Sequence, residues 1–195
     1  TDLSSRDAVE RLCTEIASRS INVDLLINNA GFGSLGKFER SNLKWEQSMV
    51  DLNCIAPLSL VRLLLPQMLE KRSGKIINVC STCAFQPMPI MATYGATKSF
   101  LFSFSVALAA ELRGTGVHVM AHCPGPTESE FHRVVGLENK IDWLPGHKPH
   151  VVVAQALIGL KRGKLFVVNG NLNRALAFLS SALPTSLSTR IVARM

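Results

Sequence analysis

Hydrophobic positions along the chain alternate between helical and strand-like spacing. Val9, Leu12 and Ile16 recur at helical intervals after Ser4 and Ser5, either of which can cap a helix running to about Ser18. "NVDLLINNAG" follows, a short continuous apolar run closed by Asn-Asn and Gly, and it predicts a buried strand over 23–28. After the loop "GFGSLGKFER", Ser41 or Asn42 caps a long helix to about Lys71. "GKIINVCS" predicts a second buried strand, 75–80, and a loop with Pro87 and Pro89 leads into a helix over 92–112, stopped by Gly114 and Gly116. "VHVMAHCPG" predicts a third strand at 117–122, and residues 124–148 show no period. A helix at 149–161, a strand at 164–169 and a helical tail at 171–195, broken at Pro184, complete the pattern.

Strand runs that are apolar on both faces belong in a parallel sheet covered by helices on both sides. The pattern therefore predicts an α/β fold, a Rossmann-like doubly wound parallel sheet in one domain spanning 1–195. "VDLLINN" reads as an interior strand, yet it is the first strand in the chain. The expectation is a sheet missing its first strands, an N-terminal truncation. At ~30 residues per βαβ unit, about two units would lie upstream.

Composition narrows the class. With 47% hydrophobic and 18% charged residues among 195, a sizeable aliphatic core is available. No run of ~18 uninterrupted apolar residues suggests a membrane-spanning helix, and no basic head precedes an apolar block at the start. The net charge of +7 is spread without Lys/Arg blocks, which argues against nucleic acid as a partner. Five cysteines, an odd number without a leader, point to a reducing, cytoplasmic setting. Cys80 and Cys83 form C-x-x-C, but no second pair or ligand-spaced His accompanies them, so they read as small fillers and no metal site is expected.

"GFGSLG", Gly31 to Gly36, matches the dinucleotide fingerprint G-x-G-x-x-G. Its context fails: no helix opens at once, and Asp51 falls within a helix rather than at a strand end. A loop at the carboxyl end of a strand, lining a ligand crevice, is the better reading.

The chemistry concentrates around the sole tyrosine. Tyr94 and Lys98 stand four apart in the helix over 92–112, so they share a face. An ammonium beside a phenol favours the phenolate and would lower its pKa toward neutrality. Ser81 follows a strand at its carboxyl end and could donate to a substrate oxygen. Pro57, four residues after Asn53, lacks an N–H, which frees the Asn53 carbonyl to hold a water for a proton relay.

The set "NNAG" (28–31), Asn53, Ser81, "YGATK" (94–98) and "PGPTES" (124–129), in this order, strongly resembles the short-chain dehydrogenase/reductase family. The end of the chain is similar to ketone- or acyl-reducing members. The resemblance implies an NAD(P)-dependent oxidoreductase interconverting a carbonyl and an alcohol. Tyr94 would be the acid/base, Lys98 would lower its pKa and bind the nicotinamide ribose, Ser81 would orient the substrate oxygen, and Asn53 would hold the relay water. Asn28, Ala30 and Gly31 would line the adenosine side of the cofactor. Pro124, Gly125 and Thr127 would flank the nicotinamide, and 128–148, with Phe131 and Trp143, would form a lid. The family's opening T-G-x-x-x-G-x-G is not found before residue 28, and the segment that chooses NADP or NAD is also missing; NADP is slightly favoured.

The alternative is a non-catalytic fragment unable to bind cofactor, or a dimer partner of a full-length relative. The implied partners are a small carbonyl or alcohol substrate of lipid-like character and a second copy docked through helices 41–71 and 92–112. In the tail, Arg174, Arg190 and Arg194 accompany Leu172, Leu176, Leu179 and Leu183. Packing on a sheet edge or dimer partner is favoured there over a membrane surface.

Overall fold

The computed structural model describes residues 1–131, 135 and 146–193. Helix α1 spans Arg6–Ser18 and leads into strand β1, Leu25–Asn28. A 3-10 turn at Phe38–Arg40 precedes α2, Leu43–Val50, and a π-helical turn at Asp51–Ile55 joins it to α3, Ala56–Glu70. Strand β2 is Gly74–Val79, and a second 3-10 turn, Thr82–Phe85, precedes α4, Ala92–Glu111. β3 is Val117–Cys123, α5 Pro149–Lys161, β4 Phe166–Val168, α6 Asn171–Ala182 and α7 Thr185–Val192.

The four described strands form one sheet in the order β1-β2-β3-β4, every neighbour parallel. Its two faces explain the unbroken apolar runs. Ile76 and Val119 pack against Val61 and Met68 of α3, Leu108 of α4 and Leu112 just past its end. One residue on, Ile77 and Met120 face the other way, onto Ala156 and Leu160 of α5. Alternation with period two thus yields apolar residues at every position once helices cover both faces.

β1 pairs on one side only, with β2, and Leu25 and Ile27 remain 40% and 49% exposed. The sequence pattern asked for neighbours on both sides; within the described chain this strand is an edge. Most of the expected lid, 128–148 with Trp143, lies outside the described residues.

The single long helix expected to reach Lys71 is helical from Leu43 to Glu70 and carries an unforeseen π turn. Pro57 removes the N–H that would serve Asn53 in α-register, and the backbone widens by one residue there, with the Ala56 N–H bonded to the Asp51 carbonyl. An 18-residue window of this helix has a mean hydropathy of 1.5, enough by length and composition to cross a bilayer. One face of it serves the core, where Met49, Cys54, Leu60, Val61, Leu64 and Met68 are buried, while Leu43, Leu58 and Leu63 stay partly exposed.

Gly116, just ahead of β3, has φ +88°, and a Cβ there would run into the Arg72 carbonyl. Gly116→Ala is expected to cost about 2–3 kcal/mol, from left-handed strain plus a backbone clash. Urea unfolding midpoints measure it, and a change within ~0.5 kcal/mol would contradict the assignment.

Candidate active site

The carboxyl ends of β1, β2 and β3 deliver three loops to one edge of the sheet, the edge where α4 begins. From β1 comes the loop after Asn28. From β2 comes Ser81, which caps the turn Thr82–Phe85 by accepting the Cys83 N–H at 3.2 Å. From β3 comes the turn starting at Pro124, whose carbonyl accepts the Thr82 N–H at 2.9 Å.

Helix α4 presents Tyr94, Thr97, Lys98, Leu101, Ser105 and Leu108 on its buried face, the i, i+3, i+4 spacing of a helix laid on a sheet. Tyr94 is 7% exposed and Lys98 5%. The phenol ring packs on Phe131 at 5.2 Å between centroids, beside Met49, Met91 and Val135. Lys98 donates to the Val79 carbonyl at 2.9 Å, and its Nζ lies 5.8 Å from the Tyr94 ring centroid.

Burial dominates the electrostatics. It raises the Tyr94 pKa well above the ordinary phenol value, with the Cys83 and Cys80 thiols adding to the rise and the nearby Ser81 hydroxyl pulling it back. This corrects the expectation that Lys98 lowers the phenol's pKa: desolvation outweighs an ammonium bonded elsewhere. Lys98 itself is pushed below its ordinary value by burial, against an opposing pull from Cys80, Cys54, Cys83 and Cys123. The thiols are all free, and burial pushes Cys54 up to about 11. Cys80 belongs to the core with Leu101, Ala121 and Cys123, while Cys83 packs beside Tyr94.

Asn53 has a side-chain role that the sequence did not announce. Its side chain donates to the Phe32 carbonyl at 2.9 Å and to Thr97 Oγ1 at 3.0 Å, and accepts the Phe32 N–H at 3.2 Å. The amide therefore staples the β1 loop to α4, and the π turn aims it there. Gly31 sits where this staple leaves no room: a Cβ would lie 2.8 Å from Asn53 Oδ1 and 3.4 Å from Lys98 Nζ. The loop from Gly31 to Gly36 opens no helix, as its context predicted, and Gly33 lies against Tyr94 and Phe131.

Asn28 is brought to the same edge but its side chain is engaged. It donates to Asn78 Oδ1 at 2.8 Å, and Asn78 donates to Ser105 at 2.8 Å. Ala30 and Gly31 are exposed, and Pro124, Gly125 and Thr127 are half-buried. Thr127 donates to the Gly125 carbonyl at 3.0 Å, closing that turn on itself.

Sequence reasoning missed the residues that hold these groups. Asn78, Thr97 and Ser105 tie the sheet and the β1 loop to α4; a polar Asn in an otherwise apolar strand was the available signal. Asn173 packs under Gly125 and donates to the Asn169 carbonyl at 2.9 Å. Asn169 in turn donates to Gln155 and accepts from His122 Nε2, each at 2.6 Å. Burial holds His122 below its ordinary pKa, so it is the neutral ring that donates. A 610 Å³ cleft lined by Phe85, Met88, Ala92, Gly95, Ser99 and Thr189, among others, runs along α4 without including Tyr94 or Lys98. The chemistry sits elsewhere.

The residues present fit the nicotinamide half of a dinucleotide. Lys98 is a buried ammonium with three donors and one described acceptor, Val79. Gly31 leaves space beside that ammonium, and the turn at Pro124–Thr127 closes the same edge.

Comparison with known proteins identifies the family. The sequence profile of the short chain dehydrogenases matches residues 1–139. A short chain dehydrogenase of Pseudocercospora fijiensis is 38% identical over 132 residues, 67% of this chain and 43% of that protein. The ketoacyl reductase HetN of Nostoc is 40% identical over 103 residues, 53% of this chain and 36% of that protein. The chain thus spans half or less of the length of these curated relatives. The short-chain dehydrogenase from Sphingobium yanoikuyae, solved in complex with NADPH, superposes with a TM-score of 0.80 at 26% identity, over 93% of this chain and 73% of that one. A parallel sheet wound on both faces, Ser81, Tyr94 and Lys98 gathered at its carboxyl edge, and a profile match over most of the residues place the chain in the short-chain dehydrogenase/reductase family.

Proposed function

We propose that this chain carries the catalytic half of an NADP-dependent reductase that converts a ketone into an alcohol. The observation that carries the reading is the meeting of Ser81, Tyr94 and Lys98, from β2 and α4, at the carboxyl edge of a parallel sheet. The cofactor, when bound, supplies the hydride; the protein supplies position and the proton.

Tyr94 is the proton donor. Its phenol is protonated at neutral pH, the form that donates to a carbonyl oxygen, and because burial raises its pKa the Lys98 ammonium is left to ease the departure of that proton. Ser81 lies near the same phenol and offers a second donor to that oxygen. Lys98, with donors to spare, binds a ribose hydroxyl and keeps positive charge close as the phenol gives up its proton. Asn53 acts through others, holding the Phe32 loop against α4. NADP is favoured over NAD by the NADPH-bound relative. A ketone within an acyl chain is favoured by the ketoacyl reductase relative and by the apolar wall of Phe32, Leu35, Met88 and Phe131 around Tyr94. The partly exposed Leu58, Leu63 and Phe100 on α3 and α4 fit a dimer through those helices in the cytoplasm.

NADPH absorbance in the presence of a β-ketoacyl thioester tests the reading. NADPH is expected to be consumed only when the ketone is present, and Ser81→Ala is expected to slow turnover roughly 10- to 100-fold. Trp45 packs on Phe32 with ring centroids 4.6 Å apart and planes tilted by 56°, so its fluorescence would report cofactor arriving at that loop. No change in that fluorescence and no NADPH consumption would instead favour the non-catalytic fragment.

A further inference from the structure

The net charge of the chain is not shared evenly. Residues 1–142 hold 14 basic and 14 acidic side chains, and residues 143–195 hold seven basic and none acidic. All of the +7 therefore resides in the last 53 residues. This same segment ends in two helices whose outer surfaces are apolar.

Helix α6 buries Asn173 and Ala177 against the body of the protein. Its other faces carry Leu172 at 65% exposure, Phe178 at 75%, Leu179 at 54% and Leu176 at 47%. On α7, Ser188 is buried, while Leu187 and Ile191 are each 45% exposed. Arg174 and Arg190 are exposed on the same two helices. The Arg174 guanidinium is bonded to the neutral Asn171 side chain at 2.9 Å, and no ion pair among the described residues involves either arginine. An apolar face of this size on a helix pair needs a cover.

Three covers are conceivable, and charge separates them. A segment pairing with the free edge of β1 would add at the side of the sheet away from β4, the strand that α6 follows. A second copy docking face to face would set arginines against arginines with no carboxylate in either tail to neutralise them. A bilayer with anionic headgroups supplies both the apolar phase for Leu172, Phe178 and Leu179 and the countercharge for the arginines. We propose that α6 and α7 form a surface-lying membrane anchor that docks the protein on anionic phospholipid. The helices are amphipathic and short, so they would lie in the headgroup plane rather than span.

Sedimentation of the chain with vesicles decides the matter. Binding to phosphatidylcholine vesicles containing phosphatidylserine is expected to be at least 10-fold tighter than to phosphatidylcholine alone, and to weaken as salt is raised. Phe178→Ser with Leu179→Ser is expected to reduce binding about 10-fold or more, because both side chains leave the interface. Arg174→Glu with Arg190→Glu is expected to reduce it roughly 25-fold on the phosphatidylserine vesicles only. None of these residues belongs to the catalytic set, so NADPH consumption in solution should not change. Equal binding to both vesicle types, or binding untouched by either double variant, overturns the proposal. So does a lipid-free dimer that Phe178→Ser with Leu179→Ser dissolves while vesicles bring nothing down; the face then belongs to a second copy.

Discussion

Tyr94→Phe is expected to lower kcat for ketone reduction by about 10²–10⁴, the usual worth of a positioned general acid. The substitution removes one oxygen and leaves the ring. That ring still fills the space between Phe131, Met49 and Met91, so packing is unchanged. Removing the buried hydroxyl trades its interaction with the nearby Ser81 for a smaller desolvation cost, two changes that nearly cancel in stability. Cofactor affinity, followed by Trp45 fluorescence, should stay within about threefold, because Lys98 and the loops are untouched; binding equilibria would otherwise mask a loss of chemistry. A variant retaining a tenth or more of wild-type kcat would show that another group protonates the product. The pH response provides a second check. The folded-state pKa of Tyr94 is raised, so its contribution to stability is complete below ~10 and is lost as pH rises above that value. In Tyr94→Phe this part of the alkaline loss disappears.

The frame of the protein was legible because it depends on period and punctuation. Strand runs such as "LLIN" and "KIINV" are short, apolar on both sides and bounded by polar turns, and each entered the sheet in parallel. Tyr94 and Lys98 were legible because four residues on a helix bring two side chains to one face. What was not legible depends on the third dimension. Pro57 announced a break in the helix, but only the fold shows that the backbone absorbs it as a π turn and that Asn53 then swings its amide onto Phe32 and Thr97. A carbonyl freed at Asn53 can be read from a proline; a side-chain staple to Thr97, 44 residues away in sequence, cannot. The same holds for Asn28, Asn78 and Ser105, whose amide chain links β1, β2 and α4.

The error about Tyr94 has a more general cause. Spacing predicts that an ammonium is near, and Coulomb's law then predicts a lowered phenol pKa. Spacing does not predict burial. Once both groups are taken out of water, each is driven toward its neutral form, the phenol up and the lysine down. On the proposed reading the phenol holds its proton at rest, and the charge on Lys98 would act when that proton leaves. The same apolar enclosure would suit a greasy substrate.

Lys98→Met separates function from stability, because the two should move in opposite directions. Methionine matches the length of the lysine stem and fills the same buried channel beside Leu101 without a charge. The variant loses one hydrogen bond to the Val79 carbonyl, worth about 1–2 kcal/mol, and escapes the several kcal/mol that burying an ammonium costs. A net gain of about 1–2 kcal/mol is expected at pH 7, or a Tm higher by roughly 2–8 °C for a chain of this size. Activity should fall at least about 100-fold, with weaker cofactor binding, since ribose contact and the charge that eases proton loss both go. The pH dependence identifies the ammonium as the cause. The folded-state pKa of Lys98 is depressed, so its burial penalty is full at neutral pH and vanishes as pH climbs toward 10.5, where the unfolded chain also loses the proton. Tyr94 and the cysteines with raised pKa are present in both proteins, and the pull that Lys98 exerts on Cys54, Cys83 and Cys123 goes with the same ammonium, so a change in them reports it too. The difference in stability between variant and wild type, taken from unfolding curves at pH 7 and pH 10, should therefore shrink. A difference that holds constant, or a variant less stable at pH 7, would mean that Lys98 braces the fold through Val79 rather than storing an unfavourable charge for catalysis.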